Sequence, residues 1–328
     1  MAIKELWAIG VDLGGTKVEM AQVDEEGNLD QRIILPTDVS GGPSAVKAQI
    51  IAAIRDIQKK RGSSPVGVGI GVAGQIDAQQ GVVRFSPNLG WHDVPLRSDV
   101  SQAVALPVVI TNDVRAATWG EWIHGAGKGS QDLVCLFVGT GIGGGVISGG
   151  HMLSGCGNTA GEFGHLTIDL NGLPCRCGNK GCLEAHAGGW AIARRAQEAI
   201  RKDPAAGVHM MGMVGGRHEA VNAKIVAQSF REGDPLAKGI VNEVFHALVA
   251  GAVSIVNAFN PCHLILGGGV IEGLPELRDR IAKEIRQFAL KAATESLQVL
   301  PAQLHNDAGV IGAASLAMHL SEKEQLFE

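Results

Sequence analysis

Three cysteines fall within one short run, Cys175-Arg176-Cys177-Gly178-Asn179-Lys180-Gly181-Cys182, with glycines where the chain must turn. Thiolates at this spacing can wrap one tetrahedral zinc ion, which then needs a fourth ligand from another part of the chain. His165, in Ala160-Gly161-Glu162-Phe163-Gly164-His165, is the nearest suitable side chain. A zinc knuckle for nucleic acid is the rival reading, but the segment is not rich in the basic and aromatic residues such a module uses. A structural zinc is therefore expected.

Glycine supplies the second chemical signal. Asp12-Leu13-Gly14-Gly15-Thr16-Lys17 joins two apolar runs. Glycines there let backbone N–H groups approach an anion, Thr16 offers a hydroxyl, and Asp12 could orient a metal-bound water. A plain hairpin turn needing positive φ is the alternative. Gly139-Thr140-Gly141-Ile142-Gly143-Gly144-Gly145 repeats the theme. It contains a GxGxxG, yet a strand-like Val146-Ile147 follows it instead of a helix, which argues against a dinucleotide fold. Neither run ends in the Gly-Lys-Ser/Thr of a Walker A loop. A third run, Gly267-Gly268-Gly269, closes a strand before a helix and would suit an adenosine or phosphate contact. A fourth, Asp307 to Ala314, is rich in small residues and reads as close helix packing.

Carboxylates complete the set. Asn112-Asp113 ends a strand and opens a helix, so it reads either as an N-cap or, beside two phosphate turns, as a general base in Asp113. Glu162, His165 and Glu184 surround the thiols in sequence. Carboxylates suit sugar hydroxyls because each accepts several charge-assisted hydrogen bonds. His165 could ligate through one nitrogen and reach a hydroxyl with the other. Glu184 also reads as an ordinary first-turn glutamate.

These residues must be held by an α/β framework. Leu6–Val11, Val18–Val23 and Gln31–Leu35 read as a β-meander, and Ala45–Lys60 as an amphipathic helix. A strand over Val66–Ala73, a turn-rich loop past Asn88, a helix over Leu96–Ala105, a strand over Val108–Thr111 and a helix over Val114–Ile123 follow. A similar order restarts with a strand at Asp132–Val138. Helices are expected over Leu183–Arg201, Asn222–Arg231, Leu236–Phe259, Pro275–Ala292 and Val310–His319, with a strand at His263–Leu266.

The chain has 328 residues, 45% hydrophobic and 19% charged, with a net charge of −5 and 46 glycines. That length allows two domains, and the charge gives no attraction to nucleic acid or anionic membrane. No signal sequence is expected at the N-terminus, nor any run of the ~20 apolar residues a membrane span needs. Cys135, Cys156 and Cys262 are expected as small core residues.

Taken together, the two phosphate hairpins and the later glycine turn resemble the actin/hexokinase/Hsp70 ATPase superfamily. The run Cys-x-Cys-Gly-x-x-Gly-Cys-x-Glu, preceded by Gly-Glu-Phe-Gly-His, resembles the signature of the ROK family (repressors, open reading frames, kinases), and the likeness extends from Asp12 to Ala314. It implies two actin-like (ribonuclease H-like) lobes around a central cleft, with a structural zinc loop in the second. The smaller lobe would span 1–118, completed by the helix 305–328, and the larger 119–304, with the zinc loop at 165–182.

The resemblance implies an ATP-dependent kinase for the 6-hydroxyl of a hexose, most like a glucokinase, with Asp113 as base. Gly74, Asn88, Asn112, Asp113, Glu162, His165 and Glu184 would bind the sugar. Asp12, Gly14, Gly15, Thr16, Lys17, Gly139, Thr140, Gly141, Gly143, Gly268 and Gly269 would bind ATP with Mg2+. His165, Cys175, Cys177 and Cys182 would hold zinc. A cytoplasmic homodimer is implied. Kinases of N-acetylmannosamine, N-acetylglucosamine or fructose, a polyphosphate donor and a catalytically silent sugar sensor remain alternatives. With eleven residues before Asp12, the winged-helix domain of ROK repressors is not expected.

Overall fold

The computed structural model describes residues 6–60 and 63–325, so the ends of the expected lobe bounds, 1–5 and 326–328, lie outside the described residues. The chain divides into two compact units. One comprises Met1–Gly129, Met152–Ala160 and Gln303–Glu328, the other Ser130–His151 and Gly161–Ala302. The first unit thus runs past residue 118, because the Asp113–Ile123 helix belongs with the closing helix Ala308–Gln325.

The strands of the first unit are β1 (Trp7–Leu13), β2 (Lys17–Asp24), β3 (Leu29–Pro36), β4 (Val68–Val72), β5 (Gln75–Asp77), β6 (Val82–Ser86), β7 (Trp91–Val94) and β8 (Val108–Asn112). Its main sheet has the order β3-β2-β1-β4-β8. The first two pairs are antiparallel and the next two parallel.

Strand periodicity decides which face each β1 residue serves. Trp7, Ile9, Val11 and Leu13 join the cluster that includes Val46, Ile50, Ile54 and Ile57 of the Gly42–Lys60 helix. The alternate positions, Ala8, Gly10 and Asp12, point the other way, and Ala8 packs with Val310, Ile311 and Ala314 of the closing helix. That helix lies so close that a Cβ on Gly10 would sit 1.9 Å from the Val310 carbonyl oxygen, and one on Gly69 of β4 1.8 Å from that of Ala313. On the helix itself, a Cβ on Gly312 would fall 1.7 Å from the Ala116 oxygen. The fourth glycine run is therefore packing, as its small residues suggest.

The second unit holds β9 (Leu133–Val138), β10 (Ile142–Ser148), β11 (His151–Met152), β12 (His263–Gly267) and β13 (Gln298–Pro301), in the order β11-β10-β9-β12-β13. β9 pairs antiparallel with β10 and parallel with β12, so it occupies the place β1 has in the first unit. The glycine turns after β1 and β9 are equivalent. Behind this sheet lies the Pro235–Phe259 helix, started by the Asp234 side chain accepting from the Ala237 N–H and by proline in its first turn.

Several expectations need correction. Pro235–Phe259 is, by length and composition, long and apolar enough to cross a membrane; here most of its apolar stretch is buried in the core. The stretch read as a loop past Asn88 contains β5, β6 and β7, a three-stranded antiparallel sheet. Leu183–Arg201 is two helices, Leu183–Ala187 and Gly189–Lys202, broken at Gly188, whose ψ of 151° is extended. Cys135 is buried as expected, but Cys156 and Cys262 are exposed.

One buried carboxylate joins the Asp113–Ile123 helix to the segment that leads into the closing helix. Glu121 is fully buried and accepts backbone N–H bonds from Ala126 (2.9 Å), Gln303 (2.9 and 3.1 Å) and Leu304 (2.8 Å). Glu121→Gln would turn an amide donor toward backbone donors. A loss of about 2 kcal/mol is expected in a denaturant titration, the scale of hydrogen bonds to a charged group. An unchanged midpoint would show that the carboxylate is dispensable.

Candidate active site

In the first unit the candidate residues collect at the C-terminal ends of β1, β4 and β8. Asp12 is the penultimate residue of β1, on the face turned to the closing helix. A Cβ on Gly309 would lie 2.9 Å from its Oδ2, so only a glycine there admits the carboxylate. Burial foremost, then the charge of Asp113 and less so of Glu19, pushes Asp12 up from 3.8 to about 7, with Lys17 pulling the other way.

The turn after β1 closes through the Gly14 N–H donating to the Lys17 carbonyl at 3.0 Å, while Thr37 Oγ1 donates to the Gly14 carbonyl at 2.7 Å. Gly15 lies directly against Asn88, where a Cβ would approach the Asn88 oxygen to 2.6 Å. Thr16 and Lys17 are exposed. Lys17 Nζ rests 2.8 Å from Oε2 of fully buried Glu19, whose Oε1 meets Arg32; Arg32 also pairs with Asp307 at 2.8 Å. Sequence reading missed this ion-pair network, because its members are spread over nearly the whole chain.

The Asn112-Asp113 pair splits the two readings between them. Asn112 is the N-cap: its Oδ1 accepts from the N–H groups of Val114 (3.0 Å) and Arg115 (3.1 Å), and its Nδ2 donates to the Gly74 carbonyl (3.2 Å). Asp113 is the first helical residue, and its charge acts on Asp12 within the strand-end cluster. Gly74 and Asn112 are thus brought together, and Gly15 with Asn88.

In the second unit, the turn Gly139–Gly141 closes through the Gly139 N–H donating to the Gly141 carbonyl at 2.9 Å. Thr140 is exposed at its tip, and Gly143 lies within β10, opposite Phe137. Gly268, with φ of 88°, packs on the end of β9, where a Cβ would come 2.6 Å from the Val138 oxygen; Gly269 opens a short helix. The second and third glycine runs therefore meet.

Glu184 joins them. Its Oε2 accepts from the Ile142 N–H at 2.8 Å and its Oε1 from the Trp190 indole N–H at 3.0 Å. It is a first-turn glutamate, yet its carboxylate serves the glycine turn, not its own helix. Sequence reading missed Trp190. On one continuous helix of 3.6 residues per turn, a residue six positions on points away; the break at Gly188 brings it back.

Glu162 precedes and His165 ends a single 3-10 turn, Phe163–His165, and both are exposed. The thiol loop is a tight hairpin, with Cys175 N–H donating to the Asn179 carbonyl at 2.8 Å and Gly178 and Gly181 at φ of 92° and 69°. One donor atom from each of His165, Cys175, Cys177 and Cys182 lies within 4.8 Å of all the others. Cys177 and Cys182 sulfurs are 3.7 Å apart, and His165 Nδ1 is 3.9 Å from the Cys175 sulfur. Donors about 2.3 Å from a tetrahedral zinc are about 3.8 Å from one another, so the donor set and its spacing fit that ion. Burial pushes the Cys182 thiol up to about 12, with its neighbours Cys177 and Cys175 adding to the rise.

Comparison with known proteins agrees with this geometry. The ROK family model matches residues 8–319. A glucokinase of Streptomyces coelicolor is 36% identical over 94% of this chain and 96% of its own length. An N-acetylmannosamine kinase of Escherichia coli O157:H7 is 32% identical over 94% and 97%. The crystal structure of a ROK family glucokinase from Streptomyces griseus, in complex with glucose and AMPPNP, is 37% identical with a TM-score of 0.82, covering 95% of this chain and 99% of that one. The fold is thus the actin-like α/β ATPase fold of such kinases, and the chain belongs to the ROK family.

Proposed function

We infer that this chain is a hexose kinase that transfers the γ-phosphoryl of ATP to the 6-hydroxyl of glucose. The observation that carries the reading is the lodging of the Glu184 carboxylate on the second glycine turn. A side chain suited to sugar hydroxyls and a turn suited to phosphate are there one hydrogen-bonded structure. The glucokinase relatives support the same reading.

In the proposed reaction Asp113 takes the proton of the 6-hydroxyl as its oxygen attacks the γ-phosphorus. The new O–P bond forms as the β–γ bridging bond breaks, and ADP leaves. Gly74, Asn88, Asn112, Glu162, His165 and Glu184 hold the sugar. Asn112 Nδ2, which donates one hydrogen to the Gly74 carbonyl, has a second to offer for this. Gly14, Gly15, Thr16, Lys17, Gly139, Thr140, Gly141 and Gly143 receive phosphates through backbone N–H, hydroxyl and ammonium groups, with Gly268 and Gly269 nearer the nucleoside. Asp12 faces the Mg2+ that accompanies ATP.

Zinc, held by His165, Cys175, Cys177 and Cys182, would be structural: it would fix the loop that carries His165 and leads into Glu184. We also propose actin-like lobes corresponding to the two compact units, a homodimer and a cytoplasmic location, all from family resemblance. The N-acetylmannosamine kinase relative supports a second reading with an N-acetylated hexosamine as acceptor. A coupled assay with ATP across a panel of hexoses and N-acetylhexosamines separates the two, and no turnover of any sugar would refute both.

Asp113→Asn should lower kcat at least a hundredfold, the scale of a general base, with sugar binding by calorimetry unchanged; a near-normal kcat refutes the assignment. Cys177→Ser should reduce bound zinc, measured by mass spectrometry of the metal, and raise the sugar KM severalfold. A folded, zinc-free, fully active variant would contradict the proposed role.

Asp12 gives a pH signature. Its folded value lies above its unfolded one, so the stability it contributes is full below about pH 4. That stability is lost as pH rises through about 7, because the unfolded chain ionises first. Asp12→Asn removes this loss. Its melting temperature should exceed that of the parent by a margin that grows from about pH 5 to about pH 8, while ATP-dependent transfer collapses. A margin independent of pH would show that Asp12 does not titrate in this range.

A further inference from the structure

We propose that Trp190 is a positioning residue for the sugar, acting through Glu184; this rests on the reading of Glu184 as a sugar contact. Glu184 is the first residue after Cys182 and Leu183, on a helix of five residues that cannot orient a long side chain by itself. Two groups fix its carboxylate. One is the Ile142 N–H, which the strand pairing of β10 holds in place, and the other is the Trp190 indole N–H, at 3.0 Å.

The indole is itself held from three sides. Its backbone N–H donates to the Thr140 carbonyl at 2.9 Å, and the Gly189 N–H to that of Gly139 at 2.9 Å, so the residue is tied to the tip of the second glycine turn. Arg194, one helical turn on, lies 4.9 Å from the ring centre. Arg176, between two of the clustered cysteines, lies 4.5 Å from it. Cations over an indole draw on its π density and are attracted to it, which restrains the ring and strengthens its N–H as a donor. The ring thus connects the glycine turn, the thiol loop and Glu184.

The bond leaves Glu184 able to act. Each carboxylate oxygen accepts more than one hydrogen bond, so with one N–H on each oxygen both still accept from sugar hydroxyls. What the indole sets is the plane of the carboxylate. Losing it frees the side chain to rotate, and the cost falls on sugar binding before any chemistry.

The test is Trp190→Phe in the zinc-loaded protein, where an aromatic ring remains for the two guanidinium groups while the indole N–H is lost together with part of the ring. Sugar KM and the calorimetric Kd for sugar without ATP should both rise about tenfold, the scale of a hydrogen bond to a charged group. The kcat and the KM for ATP should stay within about twofold. Unchanged sugar KM and Kd would overturn the proposal, even if Trp190→Ala is impaired, since packing alone would then account for Ala.

Glu184→Ala, measured alongside, separates the two readings. If it leaves sugar KM unchanged, the sugar-contact reading of Glu184 fails; if it raises sugar KM and Trp190→Phe does not, only the positioning role fails. Should the Phe variant not fold, the indole N–H resonance of Trp190 in the unaltered protein decides. It should shift when sugar is added without ATP, and a resonance that stays put overturns the proposal.

Discussion

Close approach of the closing helix to the first sheet is the constraint on which the first half of the candidate site depends. Glycine at positions 10, 69 and 312 removes the Cβ atoms that would otherwise collide with backbone oxygens less than 2 Å away. Helix and strand then sit near enough for Gly309 to cover Asp12. Enclosing a carboxylate beside Asp113 is unfavourable for its ionised form, and it is the packing of an entire helix, fixed at its start by Glu121, that holds it there. The same contact that stabilises the unit creates the perturbed acid.

The second unit solves the equivalent problem differently. Its glycine turn occupies the matching place between an antiparallel pair, β9 and β10. The turn is braced by the chain after the cysteine hairpin. Gly188 and Gly189 allow that segment to approach, and Glu184 and Trp190 bond to it. A Cβ on Gly141 would come within 2.4 Å of the Glu184 carboxylate, so a larger residue there would displace that carboxylate from its place on the turn. One topology therefore carries two turns whose supports differ in chemistry.

What could be read from the sequence follows from the range of the interactions involved. The meander, the Gly42–Lys60 helix and the buried strands at Val68–Val72 and Leu133–Val138 announce themselves through local periodicity, and the three clustered thiols through spacing. β5, β6 and β7 did not, because short strands with exposed residues such as Arg84, Phe85 and His92 lack a sustained alternation. The Leu183–Arg201 segment reads as one helix because Gly188-Gly189 is compatible with a helix interior at modest cost; only its contact with the glycine turn at 139–140 favours the break. Asn112 was legible as a cap from its type alone, whereas its bond to Gly74 was not. Glu121 and Glu19 are invisible for the same reason: a carboxylate whose partners lie far along the chain looks like any surface acid.

That distinction bears on why position 184 is an acid and not an amide. An asparagine or glutamine held by two N–H donors would have to present its oxygen to both and would waste its own N–H groups against them. A carboxylate presents an acceptor to each donor and keeps further lone pairs on both oxygens. The surroundings of Glu184 contain donors, the Ile142 N–H and the Trp190 indole. In the proposed reading the hydroxyls of a sugar donate as well, and an all-acceptor group then answers the protein on one edge and a polyol on the other. By the same logic Asn112, which must accept from a helix terminus and donate to the Gly74 carbonyl, is served by an amide. The two residues differ because their surroundings ask for different balances of donor and acceptor.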